Sequence, residues 1–196
     1  MFDLINGRPI HPLVVHAVVV LLPIACLGTI AIVLRPAWRG RYGVLVVACA
    51  AAATVLMPVA TSSGEALEER VGSPGEHAEL GDQLIWFTIP LLLLSLALVV
   101  LDRRQRAADQ GTVDRSVGSR SRGADTVEES SVAGHSTAGR STALATAAPA
   151  AHTPSVATRV VAALALVAAL AATVQVYRVG DSGARAAWGD RVQSSK

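Results

Sequence analysis

From Leu13 to Leu34 the chain runs 22 residues without an acid, a lysine or an arginine. As a helix that run is ~33 Å long, enough to cross a ~30 Å hydrocarbon core. Three more apolar runs follow, at 42–60, 84–101 and 160–177. The last two sit near the short end of the ~20 residues a span needs and would borrow length from flanking turns. Inside lipid the backbone has no water to bond to, which restricts each run to helix. The sequence therefore predicts an all-α, polytopic membrane protein, a four-transmembrane-helix bundle.

Composition agrees with that reading. Hydrophobic residues make up 52% of the chain and charged residues 16%, against about a quarter charged in a soluble domain. Aromatic content is 4%, so the apolar mass is Ala, Val and Leu. The formal charge of +2 is too small to recruit nucleic acid. Lys196 is the only lysine, a pattern that fits coding bias in a GC-rich bacterial genome. Cys26 and Cys49 both fall inside apolar runs at similar depth. They read as small apolar filler rather than the disulfide of a secreted scaffold. Leu22-Pro23-Ile24-Ala25-Cys26 has the outline of a lipoprotein cleavage box. Pro23 stands three before the Cys, however, and the apolar stretch is long for a signal sequence, so the run is read as a retained span.

Local signals place the helix ends. Pro12 suits a first helical position, where no N–H is needed. Ser62-Ser63-Gly64-Glu65 and Ser73-Pro74-Gly75-Glu76 both read as capping boxes. The first would open a short acidic helix, and the second would start the third span outside the membrane and lead in through His77 and Asp82. Pro23, Pro58 and Pro90 would kink or end their helices. Ala48 with Ala52, and Ala165 with Ala169, have the four-residue spacing that lets helices approach closely in lipid; Ala enrichment from genome bias is the equal alternative.

Charge sets an orientation. Arg35, Arg39 and Arg41 lie between the first two spans, and Arg103, Arg104 and Arg106 follow the third. The loop between spans two and three is acidic, with Glu65, Glu68, Glu69, Glu76, Glu79 and Asp82 against Arg70. Basic loops stay in the cytoplasm, so both termini and the acidic loop are expected outside a bacterial plasma (inner) membrane. The organisation expected is residues 1–104 as three helices with an acidic outer loop, 105–158 as a disordered cytoplasmic linker, and 159–196 as the fourth helix and outer tail. The linker is Ser, Thr, Ala, Gly and Arg, too poor in large apolar residues to order itself. His135 and His152 lie there, and Ser116, Ser121 and Ser141 follow arginines as matches to phosphorylation sites.

The ordered motifs resemble a known family. His11-Pro12-Leu13-Val14-Val15-His16 opens the first span. Thr61-Ser62-Ser63-Gly64-Glu65-Ala66-Leu67-Glu68-Glu69 and Glu76-His77-Ala78-Glu79-Leu80-Gly81 follow, and the series ends with Val179-Gly180-Asp181-Ser182-Gly183-Ala184-Arg185-Ala186-Ala187-Trp188. This set resembles the bacterial membrane family catalogued as domain of unknown function 2231, with the linker as an insertion. Some relatives have His in place of Asp181, so the resemblance does not carry a ligand role over to that position. The resemblance implies a four-span membrane protein and no established reaction.

Candidate chemistry gathers at the outer end. His16 lies within the first span, and an ionisable group there is a functional hypothesis by default. His11, His16 and His77 are candidate haem or copper ligands, with Glu65, Glu76 or Asp82 orienting a ring. Positions 11 and 16 stand about 140° apart on a regular helix, so they share a ligand only if His11 precedes the helix. The structural alternative has His16 bonded to a neighbouring helix and His11 capping the first. The acidic loop is either a solvated face or a docking rim for the basic tail, with Arg178 or Arg185 against Glu79 or Asp82. Gly180 and Gly183 indicate a turn near Asp181, followed by a short surface helix that Trp188 anchors at the headgroups. No nucleophile sits beside a base, and no acid or base sits at mid-membrane for a transporter. The sequence reading is a non-enzymatic scaffold or accessory protein, in contact with the lipid bilayer and other membrane proteins. A haem- or copper-binding redox subunit is the alternative.

Overall fold

The computed structural model describes residues 4–5, 8–71, 75–124 and 154–193, with side chains over 13–65, 75–112, 115, 154–186 and 188. The described residues form α1 (Ile10–Leu34), α2 (Arg39–Val71), α3 (Glu76–Gln83), α4 (Ile85–Ala124) and α5 (Val156–Gln193). One 3-10 turn, Pro36–Trp38, joins α1 to α2. Two strand fragments, β1 (Leu4–Ile5) and β2 (Arg8–Pro9), pair antiparallel before α1. Among the described residues four segments are long and apolar enough to cross a membrane: Leu13–Leu34, Pro36–Glu65, Glu76–Thr112 and Val156–Ala186.

The long helices close into a ring in the order α1, α2, α4, α5, with α1 diagonal to α4. The interior is sealed by residues such as Leu22, Ala25, Ala50, Ala53, Leu91, Ala169 and Ala172. A second cluster, Ile32, Val46, Leu98, Val99 and Ala162, lies towards the arginine-rich end. Lipid tails are as apolar as these side chains, so close packing rather than exclusion of water holds such helices together. Ala165 and Ala169 are both fully buried, as their spacing predicts. On α2 the buried pair is Ala50 and Ala53, whereas Ala48 is exposed and Ala52 half-buried. Gly43 marks a close approach of α2 to α4, where a Cβ would stand 2.7 Å from Val99 Cγ2. Hydroxyls inside the spans return to their own helix: Thr54 to Ala50 O, Ser95 to Leu92 O and Thr173 to Ala169 O, at 2.8, 3.0 and 2.7 Å. Cys26 and Cys49 are free thiols packed in the first cluster.

Several local expectations are corrected. α1 begins at Ile10, so Pro12 sits inside the first turn and His11 belongs to the same helix as His16. That turn has no intrahelical N–H bonds to lose. Ser62-Ser63-Gly64-Glu65 opens no new helix, because α2 continues to Val71. The Ser62 and Ser63 hydroxyls instead donate back to Val59 O and Ala60 O, at 3.3 and 3.0 Å. α3 starts after Gly75, at φ 61°, with no side-chain cap; residues 72–74, which include Ser73, lie outside the described residues. The third span does lead in through His77 and Asp82, but in two pieces. Its bonding slips to i→i−3 at Leu84 N→Gly81 O, 3.1 Å, and α4 follows. Pro23, Pro58 and Pro90 lie inside α1, α2 and α4 without ending them.

Both ends of the expected linker are helical. α4 runs to Ala124 and α5 starts at Val156. Gln105 Nε2 donates to Ser155 Oγ and to Thr158 Oγ1, closing α4 on α5. Residues 125–153, including His135, Ser141 and His152, lie outside the described residues.

At the same end one guanidinium ties three helices. Arg39, 4% exposed, donates from Nε to Ile32 O at 2.9 Å, occupying a carbonyl at the C-terminus of α1. Its Nη1 lies 3.7 Å from Asp102 Oδ1 on α4, and Arg106 Nε holds Oδ2 of the same carboxylate at 2.8 Å. Removing one partner of a buried pair strands the other. Arg39→Ala is expected to destabilise the bundle by up to ~3 kcal/mol, since Arg106 still holds Asp102. Thermal unfolding in detergent checks this. A melting temperature equal to the parent's would show that the latch contributes nothing.

Candidate functional site at the α3–α5 end

α3 is short and amphipathic, and it meets α5 between Gln175 and Gly183. Leu80 is its buried anchor. Gln175 Nε2 on α5 donates to Leu80 O at 3.2 Å, in a buried contact. Gln175 is 2% exposed, and its Oε1 accepts from Arg178 Nη1 at 3.5 Å. One turn further out, His77 Nδ1 lies 3.1 Å from Val179 O and 3.3 Å from Ser182 Oγ. A carbonyl only accepts, so Nδ1 carries the proton and donates to it. Ser182 Oγ donates to the same carbonyl at 2.9 Å. In a neutral ring the lone pair is then on Nε2, and among the described residues no hydrogen bond to Nε2 occurs.

The glycines of the Val179–Gly183 motif do not make the expected turn. α5 is one helix from Val156 to Gln193. Gly183 lies close against His77: a Cβ there would stand 3.0 Å from Cε1 and 3.1 Å from Nδ1, so the ring would have to give by a few tenths of an ångström. The imidazole thus packs against bare backbone, at a position where a helical glycine costs ~1 kcal/mol. The expected ion pairs between tail and acidic loop are also absent among the described residues. Arg185 Nη2 instead reaches Asp181 Oδ2 at 2.7 Å within α5, and Arg178 reaches Gln175. Glu65, Glu76, Glu79 and Asp82 are exposed. The helix carries Trp188, exposed, about 16 Å along its axis past Tyr177.

The three candidate histidines are placed differently. His77 is half-buried in the clasp, and His16 is exposed on α1. His11 lies on α1, with its side chain outside the described residues. Both α1 histidines being helical, positions 11 and 16 are held about 140° apart. Among the described residues no three His, Cys, Asp or Glu side chains converge as a metal site. Gln175 went unremarked in the sequence because it is uncharged. A lone amide within an Ala- and Val-rich run was the available signal, since such a group in a span needs a partner.

Four spans closed around an apolar interior, with polar clasps at the two ends, define a multi-pass integral membrane protein. Residues 7–120 match DUF2231, described as "Predicted membrane protein", and the chain belongs to that family. The match covers α1 to most of α4; the Val179–Gly183 motif on α5 lies beyond it. No curated protein and no solved structure matches the chain.

His77→Ala removes the bond to Val179 O and the ring over Gly183. A lost hydrogen bond of this kind costs ~1 kcal/mol, or more where an acceptor is stranded. Amide exchange in α3 is expected to quicken at least about fivefold, with the spans unchanged. Unaltered α3 protection would show that the ring does not hold that helix.

Proposed function

We propose that this chain is a non-enzymatic scaffold or accessory protein of the bacterial plasma membrane, with its working surface at the α3–α5 end. One observation carries the reading. The polar side chains of that end are spent on backbone of the facing helix, His77 on Val179 O and Gln175 on Leu80 O. They fix α3 as a ledge rather than forming an open catalytic pocket. Glu76, Glu79 and Asp82 remain exposed on that ledge, with no ion pair among the described residues. An exposed acidic ledge on a rigid support fits a basic segment of another membrane protein. A photo-crosslinker at Asp82 is expected to give a discrete adduct that Glu76→Gln with Glu79→Gln abolishes, and one at Arg103 is expected to give none. No adduct from Asp82 overturns the reading.

Orientation is part of the proposal. Arg35, Arg39, Arg41, Arg103, Arg104 and Arg106 gather at the opposite end, which the positive-inside rule assigns to the cytoplasm. A thiol at Ser130→Cys, in the segment joining α4 to α5, should resist an impermeant maleimide in intact cells. Labelling there would reverse the orientation.

A second reading has a specific observation in its favour. Nδ1–H of His77 is tied to a backbone carbonyl, the arrangement that orients a ligating imidazole and leaves Nε2 as donor atom. Haem or copper held by His77 with His16 or His11 would make the chain a redox subunit. Protein from a host supplied with both would show a Soret band or stoichiometric copper, lost in His77→Gln. Colourless, copper-free protein overturns it.

A further inference from the structure

At the arginine-rich end, α1 and α2 do not close fully against each other. They leave an open apolar groove of about 230 Å³ facing away from the bundle. Its walls include Ile24 and Gly28 from α1 and Leu45 and Cys49 from α2, with Trp38 and Tyr42 at its mouth. Tyr42 to Cys49 is about 10 Å along the helix, roughly two-thirds of the ~15 Å hydrocarbon depth of one leaflet. The two rings meet edge to face at 5.7 Å, at the level where Trp and Tyr sit in membrane proteins.

The cations at the mouth distinguish this groove from ordinary lipid-facing surface. The Arg35 guanidinium lies 5.3 Å over the Trp38 ring, and that of Arg41 lies 5.5 Å over Tyr42. Stacking orients each planar fork without satisfying its N–H donors. Arg39, between them, is already bonded to Asp102 and two carbonyls. Arg35 and Arg41 have no acidic partner among the described residues. Two forks left for an outside anion, above a groove of acyl-chain width, complement a phosphodiester with a chain attached.

We infer that the α1–α2 groove is a binding site for one anionic phospholipid, its chain along Leu45 and Cys49 and its phosphate between Arg35 and Arg41. The test is native mass spectrometry of the detergent-purified chain, titrated with phosphatidylglycerol or with phosphatidylcholine of the same acyl chains. One saturable phosphatidylglycerol is expected to bind in preference to phosphatidylcholine. Each guanidinium contributes about fivefold, so Arg35→Gln with Arg41→Gln is expected to lose about 25-fold. Arg103→Gln with Arg104→Gln removes the same charge from α4 at the same end and should leave binding intact. Leu45→Trp, which fills the groove and touches no charge, should abolish the saturable site. Equal binding of the two lipids, or equal loss in the two double variants, overturns the proposal. So does full competition by glycerol 3-phosphate, which has no acyl chain.

Discussion

A backbone inside a bilayer has to satisfy its hydrogen bonds from within, and each feature of this protein follows from that constraint. Helix is the solution for all four crossings, and it is kept even where local residues argue against it. Pro58 sits within α2, and the serines after it return their hydroxyls to the helix instead of capping a new one. Thr54, Ser95 and Thr173 within the spans behave likewise, bonding to carbonyls three or four residues earlier. What remains for joining helices is shape, so alanines and glycines occupy the contacts.

Bonds between helices are accordingly concentrated at the two ends, and the ends differ in kind. The arginine-rich end is held by charge: Arg39 and Arg106 share Asp102 and reach carbonyls of α1 and of the turn that follows it. The opposite end is held without an ion pair among the described residues, by an imidazole, an amide and a serine, each aimed at backbone of the facing helix or its own. The charged latch uses Arg39 and Arg106 and leaves Arg35 and Arg41 without an acidic partner among the described residues. The clasp leaves Glu76, Glu79 and Asp82 exposed. From that asymmetry comes the proposal of lipid headgroups at one end and a protein partner at the other.

The spans were legible because a run such as Leu13–Leu34 carries its own requirement: no alternative in lipid satisfies that much backbone. His77 and the Gly183 segment were legible as motifs, though not as a pair. Their contact spans 102 residues of chain and depends on α3 lying across α5. Gly183 was misread because a glycine near an aspartate signals a turn in water. Here its missing Cβ makes room for a ring. The Arg39 latch was hidden for a related reason, since an arginine in a basic loop is already explained by topology and gives no sign of being buried.

The sequence by itself determined four membrane spans, the segregation of charge between their ends, and the family, though not how far α4 and α5 run beyond the apolar stretches. These are properties of single segments, fixed by local hydropathy and by the cost of an unpaired backbone in lipid. Only the tertiary structure decided which polar residues are spent on holding helices together and which remain available. His77, Gln175 and Arg39 are committed; Glu76, Glu79, Asp82, Arg35 and Arg41 are not ion-paired among the described residues. That division depends on which faces meet around the ring, and the separation of the partners along the chain leaves no periodicity from which to read it.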